Sequence, residues 1–181
     1  MPFSFKPLSL PDVILVEPGV FPDDRGLFFE FFKASEFANA GLPAHFPQDN
    51  FSFSKKDVLR GLHYQKNPKA QGKLVSVLKG SVWDVAVDLR RQSPSFLKWV
   101  SAELNDRNRA MLYIPPGFAH GFLALTDDVH FLYKCTHEYD QQADAGVRWD
   151  DPEIGIPWPI KHPILSEKDR VLPSVSQAEL F

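Results

Sequence analysis

Val82-Trp83-Asp84-Val85-Ala86-Val87-Asp88-Leu89 reads VWDVAVDL, and its period is two. Trp83, Val85, Val87 and Leu89 fall on one face of an extended segment; Val82, Asp84, Ala86 and Asp88 fall on the other. The large apolar face is expected to pack between layers. The face of small residues and two carboxylates is expected to meet solvent or line a cavity. On the N-terminal side, Lys79-Gly80-Ser81 is a turn and Lys73 to Leu78, KLVSVL, is a second strand. On the C-terminal side, strands are expected over Phe96 to Leu104 and Met111 to Ile114. Pro115-Pro116-Gly117 then forces a turn before His120-Gly121 and Phe122 to Leu125. Val129 to His137 alternates again, with Val129, Phe131, Tyr133, Cys135 and His137 on one face.

The N-terminal half repeats this rhythm. Asp12 to Glu17 is a strand bounded by prolines, Asp23 to Gly26 a turn, and Leu27 to Phe32 a strand that Glu30 interrupts. Lys33 to Ala40 is the best short helix, stopped by Gly41. Gln48-Asp49-Asn50 sits between aromatic residues, and turn chemistry is the simplest account of it. Val58 to Gln65, VLRGLHYQ, is strand-like and carries a guanidinium and an imidazole three positions apart. The first suits phosphate or carboxylate; the second moves protons near neutral pH. Beyond Asp150 the chain is proline-rich and irregular, with a helical turn expected near Ser166 to Arg170. Short strands separated by turns, with no βαβ rhythm, make an all-β closed barrel or double-sheet jelly roll the economical architecture.

Bulk properties agree. A chain of 181 residues is expected to form one domain with a sizeable core. The 16 Phe and 16 Pro favour strands and loops over long helices. A net charge of -3 supplies no general field for nucleic acid or an anionic membrane, so any anion must meet a local cluster. Cys135 is the only cysteine, which excludes an internal disulfide and fits a reducing compartment. No apolar run approaches a membrane span and MPFSFKPLSL has no cleavage signature; a cytoplasmic location is expected.

Eight strings, in order, resemble the dTDP-4-dehydrorhamnose 3,5-epimerase family. They are RGLFFE at 25–30, QDN at 48–50, VLRGLHYQ at 58–65, QGKLV at 71–75, VWDVAVDLR at 82–90, IPPGFAHGF at 114–122, FLYK at 131–134 and LSEKD at 165–169. The resemblance implies a cupin-type jelly roll with short peripheral helices. It also implies epimerisation at C3 and C5 of dTDP-4-dehydro-6-deoxy-D-glucose, without metal or other cofactor. A C4 ketone acidifies the neighbouring C–H bonds, so a base, an oxyanion stabiliser and an opposed acid suffice. By resemblance, His63 is the proton acceptor, Asp169 its carboxylate partner, Lys73 the cation at the C4 oxygen and Tyr133 the proton donor. Arg25, Glu30, Gln48, Asp49, Asn50, Arg60, His120, Tyr139 and Lys168 match nucleotide, diphosphate or sugar contacts. Tyr139 matches the ring stacked on thymine, and Asp144 stands where relatives often carry Glu. Asp84 is a candidate to orient His63 or His120. The resemblance further implies a homodimer that exchanges N-terminal strands, so that Arg25 and Glu30 serve the neighbouring site.

Three rival readings remain at this stage. A metal-dependent cupin would carry a His two positions after His63, where this chain has Gln65. Another dTDP-4-keto-sugar cupin, a C3-only or C5-only epimerase or a 3,4-ketoisomerase, could use the same base. A non-enzymatic binding jelly roll would tolerate loss of His63 and Tyr133. One geometric difficulty also stands: in a regular strand Arg60 and His63 point to opposite faces, so Gly61 must introduce a bulge or Arg60 must reach in from a strand end.

Overall fold

The computed structural model describes residues 3–181. In chain order the elements are β1 (Phe3–Pro7), β2 (Ile14–Pro18), β3 (Val20–Asp23), β4 (Gly26–Phe29), α1 (Ala34–Asn39), β5 (Gln48–Ser54) and β6 (Leu59–Gln65). There follow β7 (Lys73–Lys79), β8 (Ser81–Asp88), β9 (Trp99–Asn105), β10 (Met111–Ile114), β11 (Phe118–Ala124), β12 (Val129–Cys135), β13 (Asp144–Gly146) and α2 (Glu167–Arg170). They build a six-stranded sheet, β1-β2-β10-β7-β12-β5, and a five-stranded sheet, β13-β6-β11-β8-β9, with β3 and β4 a separate hairpin. All the pairings between these strands are antiparallel. This is the all-β jelly roll that the alternation predicts.

Three apolar layers follow from the two periodic faces of each sheet. Between the sheets lie Val75, Val77, Val82, Ala86, Leu112, Phe122 and Phe131. On the outer face of the five-stranded sheet, Val85, Val87, Leu89 and Leu62 are covered by Ile154, Trp158 and Val175 of the irregular C-terminal segment. Trp83 meets Trp158 edge-on, with ring centroids 5.1 Å apart. On the six-stranded sheet, Phe37 of α1 packs on Phe3, Val16, Leu74 and Met111.

Both faces of β8 are therefore buried, which refines the expectation for this strand. The large face packs under the C-terminal segment, and the small face looks into the interior between the sheets. Asp84 and Asp88 are both fully buried, so neither meets solvent. Asp88 is kept ionised by donors: Arg90 through Nε at 2.9 Å and Nη2 at 2.8 Å, Ser93 Oγ at 2.6 Å and Ser95 Oγ at 2.7 Å. Burial works against the charge, but these hydrogen bonds outweigh it and hold the carboxyl at about 2.

Three local expectations change. Residues 48–54 form a strand, not a turn, paired with β12 from Gln48↔Cys135 to Ser54↔Val129. Its inward positions are polar because they face a cavity, and that polarity gives a strand the composition of a loop. The strand after Gly26 ends at Phe29, so Glu30 lies beyond it. β1 has no counterpart among the expected strands; it pairs with β2 in register Phe3↔Pro18 to Pro7↔Ile14.

Candidate active site

β6 supplies the centre of the site, and its irregularity explains how. Against β11 the register runs His120↔His63 and then Phe122↔Arg60, so β6 carries one residue more than its partner. Gly61 takes φ +133, and a Cβ there would lie 2.6 Å from the Gly121 Cα and 2.9 Å from the His120 carbonyl oxygen. Only glycine allows this conformation with β11 so close. The bulge resets the alternation, and Arg60 and His63 line one cavity. Arg60 is anchored across the barrel: Nε donates to Ser54 Oγ at 3.1 Å and Nη2 to the Phe53 carbonyl at 3.0 Å.

Two adjoining chambers lie between the sheets. The inner one, about 180 Å³, is lined by Ser52, Arg60, His120, Phe122 and Phe131. The outer one, about 340 Å³, has Gln48, Asn50, Tyr139, Asp144 and Lys168 in its wall. His63, Lys73 and Tyr133 line both. His63 comes from the five-stranded sheet, and Tyr133 and Lys73 from the six-stranded sheet. An imidazole and a phenol thus approach one space from opposite walls.

His63 Nε2 lies 2.5 Å from Asp169 Oδ1. Asp169 lies in the first turn of the short α2, whose N-cap Ser166 accepts from the Asp169 backbone N–H at 3.1 Å. Burial would raise the Asp169 carboxyl, yet the hydrogen bond and charge of His63, with Ser166 and the Gly61 backbone, hold it below its ordinary value. An ionised carboxylate keeps the hydrogen on Nε2 and leaves Nδ1 with the basic lone pair.

Lys73 has no ion-pair partner within 4 Å among the described residues. Burial lowers its ammonium below the ordinary lysine value, opposed by attraction from Cys135, Asp144 and Asp84. An underused, partly desolvated cation is suited to an oxygen that gains charge during reaction. Tyr133 moves the other way: burial, with Cys135 and Asp144 nearby, raises its phenol, so it stays protonated as a donor. Asp84 partners His120, with Oδ2 and Nε2 2.9 Å apart, and not His63. Burial raises the Asp84 carboxyl against the pull of His120 and Lys73, and Oδ1 has no hydrogen-bond partner.

The outer wall is a hydrogen-bonded chain. Gln48 Oε1 accepts from the Tyr139 backbone N–H at 2.6 Å, and Gln48 Nε2 donates to Asn50 Oδ1 at 2.9 Å. Lys168 Nζ and the Tyr139 hydroxyl both donate to Asp144 Oδ2. Three sequence candidates stand apart from the chambers. Asp49 alternates to the outer face of β5, where both carboxylate oxygens pair with Lys134 at 2.9 Å. Arg25 pairs with Asp23 in the exposed hairpin, and Glu30 lies 3.9 Å from Lys33. Ser52, Phe122, Phe131, Gln65 and Gln71 also line the chambers, beyond the site residues expected from the sequence. Alternation from Gln48 and Asn50, from Tyr133 and from His120 places Ser52, Phe131 and Phe122 on the inward faces; Gln65 likewise follows His63. Among the described residues, no group of three or more His, Cys, Asp and Glu is gathered to hold a metal ion. No helix is long and apolar enough to cross a membrane among them.

Fold and site together define a cupin-type barrel enzyme built for acid–base chemistry. The sequence profile described as dTDP-4-dehydrorhamnose 3,5-epimerase matches residues 7–177. A dTDP-4-dehydrorhamnose 3,5-epimerase of Methanothermobacter thermautotrophicus is 50% identical over 171 residues, 93% of this chain and 92% of that protein. The crystal structure of a dTDP-4-dehydrorhamnose 3,5-epimerase from Sulfolobus tokodaii is 49% identical with a TM-score of 0.93, covering 100% of this chain and 99% of that one. A 3'-monoepimerase from Streptomyces bikiniensis, in complex with dTDP-quinovose, is more distant: 33% identical, TM-score 0.89, covering 94% of this chain and 87% of that one. The chain belongs to the dTDP-4-dehydrorhamnose 3,5-epimerase family, and it is an epimerase.

Proposed function

We propose that this chain inverts C3 and C5 of dTDP-4-dehydro-6-deoxy-D-glucose to give dTDP-4-dehydro-L-rhamnose, with His63 as base and Tyr133 as acid. The observation that carries this reading is the facing of these two side chains from different sheets across one space. His63 Nδ1 removes the proton next to the C4 ketone. Lys73 stabilises the enolate oxygen more than the ketone, which lowers the barrier. Tyr133 returns a proton to the other face of the carbon, and the centre is inverted. Asp169 holds the His63 tautomer and stabilises the imidazolium that forms. Arg60 and His120 hold the sugar and diphosphate side. Gln48, Asn50, Asp144 and Lys168 form the nucleotide side, where Tyr139 stacks on thymine. Nothing in this cycle consumes an electron, so no redox cofactor enters it.

Incubation with the 4-keto substrate in heavy water, followed by NMR of the sugar, tests the reading. Deuterium is expected at both C3 and C5. Incorporation confined to C3 would instead place the chain with the monoepimerase, whose fold is the same.

A homodimer belongs to this proposal. In a single chain the β3–β4 hairpin leaves Phe21, Leu27 and Phe28 exposed, and Phe51 and Phe53 are bare on β5. Exposed apolar groups of this size favour a protein contact. Exchange of N-terminal strands would bury them and carry Arg25 and Glu30 to the neighbouring chamber. Light scattering at micromolar concentration checks it; a monomer would remove the claim. The free, buried Cys135 fits a reducing compartment, and we place the chain in the cytoplasm.

A further inference from the structure

We propose that Gln65 is a positioning residue that locks the nucleotide wall of the outer chamber to the catalytic strand. Gln65 lies two positions after His63 on β6 and is 3% exposed. Its amide is used at both ends. Nε2 donates to the Lys69 carbonyl at 2.8 Å and to the Glu138 carbonyl at 3.3 Å; Oε1 accepts from the Asp140 backbone N–H at 2.8 Å. Glu138 and Asp140 are the two neighbours of Tyr139. One buried side chain therefore grips the backbone on both sides of the ring that walls the chamber.

The grip also spans the barrel. Residues 136–143 leave β12 of the six-stranded sheet, whereas Gln65 ends β6 of the five-stranded sheet. The Tyr139 side chain is 57% exposed, so packing alone holds it weakly. An amide suits this position because it presents donor and acceptor in one plane. Glutamate keeps only the acceptor. Leucine keeps the volume and leaves two carbonyls and one N–H without their partner, so the loop must move toward water to satisfy them. The loop's freedom then falls on nucleotide binding first and on the proton transfers at His63 and Tyr133 second.

This inference rests on the reading of Tyr139 as the ring that stacks on the base. The test is calorimetric titration with dTDP, alongside steady-state kinetics, of Gln65→Leu, Tyr139→Ala and the double variant. Gln65→Leu is expected to weaken dTDP about ten-fold, and to raise KM by more than it lowers kcat. The double variant is expected to bind no more weakly than Tyr139→Ala alone, because both act through one ring. Gln65→Asn, which keeps the amide donor and acceptor on a shorter stem, is expected to shift affinity the same way and by less; it serves if the leucine variant does not fold. Unchanged dTDP affinity in the Gln65 variants, additive losses in the double variant, or a fall in kcat at constant KM would each overturn the proposal. If Tyr139→Ala itself binds dTDP normally, the stacking reading fails and takes this inference with it. If Tyr139→Ala weakens dTDP and Gln65→Leu does not, the inference alone fails.

Discussion

At the scale of single residues the site is a set of opposed proton tendencies. Asp169 is held ionised beside His63, Tyr133 is held protonated, and Lys73 is made easier to neutralise. Replacing His63 by Ala removes the base and is expected to lower kcat about 10³-fold, with dTDP affinity nearly unchanged by titration. Near-wild-type turnover in both His63→Ala and Tyr133→Phe would end the assignment. The alkaline side of the pH profile is expected to follow Lys73, whose ammonium pKa is lowered by burial. A lowered lysine loses its charge as pH rises, before an ordinary lysine would, while the raised Tyr133 still keeps its proton. The kcat/KM profile of the free enzyme is therefore expected to fall at high pH, and Lys73→Arg, which stays charged, to move that fall upward. A fall at the same pH in the arginine variant would assign the limb to another group.

At the scale of elements the β6 bulge and the β8 terminus matter most. Gly61→Ala must place a Cβ on the Gly121 backbone and take a left-handed φ. It is expected to cost about 2–4 kcal/mol in urea unfolding and to disturb Arg60 and His63 together. At the end of β8, Asp88 has a folded value of about 2, below the ordinary value of 3.8. A depressed carboxyl contributes stability that is complete above about pH 4 and lost as pH falls toward 2. Because Arg90 is partly exposed, about 1–2 kcal/mol is a reasonable size for it. Asp88→Asn is expected to flatten stability between pH 4 and 2, as thermal melting would show.

At the scale of the whole molecule the question is what a second copy completes. The family resemblance groups Arg25 and Glu30 with the chamber residues, but within one chain they lie on or beside an exposed hairpin. If they act on the neighbour, Arg25→Ala and His63→Ala subunits are complementary. Each is inactive alone. A one-to-one mixture, after exchange of subunits, is expected to regain about a quarter of wild-type activity, because half the dimers are mixed and each has one intact site. No recovery after verified exchange would place Arg25 outside the site.

Much of this protein is local and therefore legible in the chain. Period-two strands such as β8 and β12, the turn at Pro115-Pro116-Gly117 and the capped turn at Ser166 depend on near neighbours, so their residue types announce them. That Arg60 and His63 need either a bulge at Gly61 or an entry of Arg60 from a strand end to share a cavity was also readable; the register of β6 against β11 decides for the bulge. Other features depend on what comes to lie opposite. β5 carries polar residues inward because a chamber lies there, and the chain alone gives them the look of a turn. Asp84 could serve either imidazole until the pairing of β8 with β11 set it against His120. Asp49 is separated from Gln48 and Asn50 by the pleat, and Gln65 gains its Glu138 and Asp140 partners only when a loop from the other sheet closes over it. Sequence by itself determined most of the strands and the inventory of acids, bases and cations; tertiary structure decided which of them face one another, because folding joins residues far apart in the chain, as when α2 brings Asp169 to His63, 106 positions away.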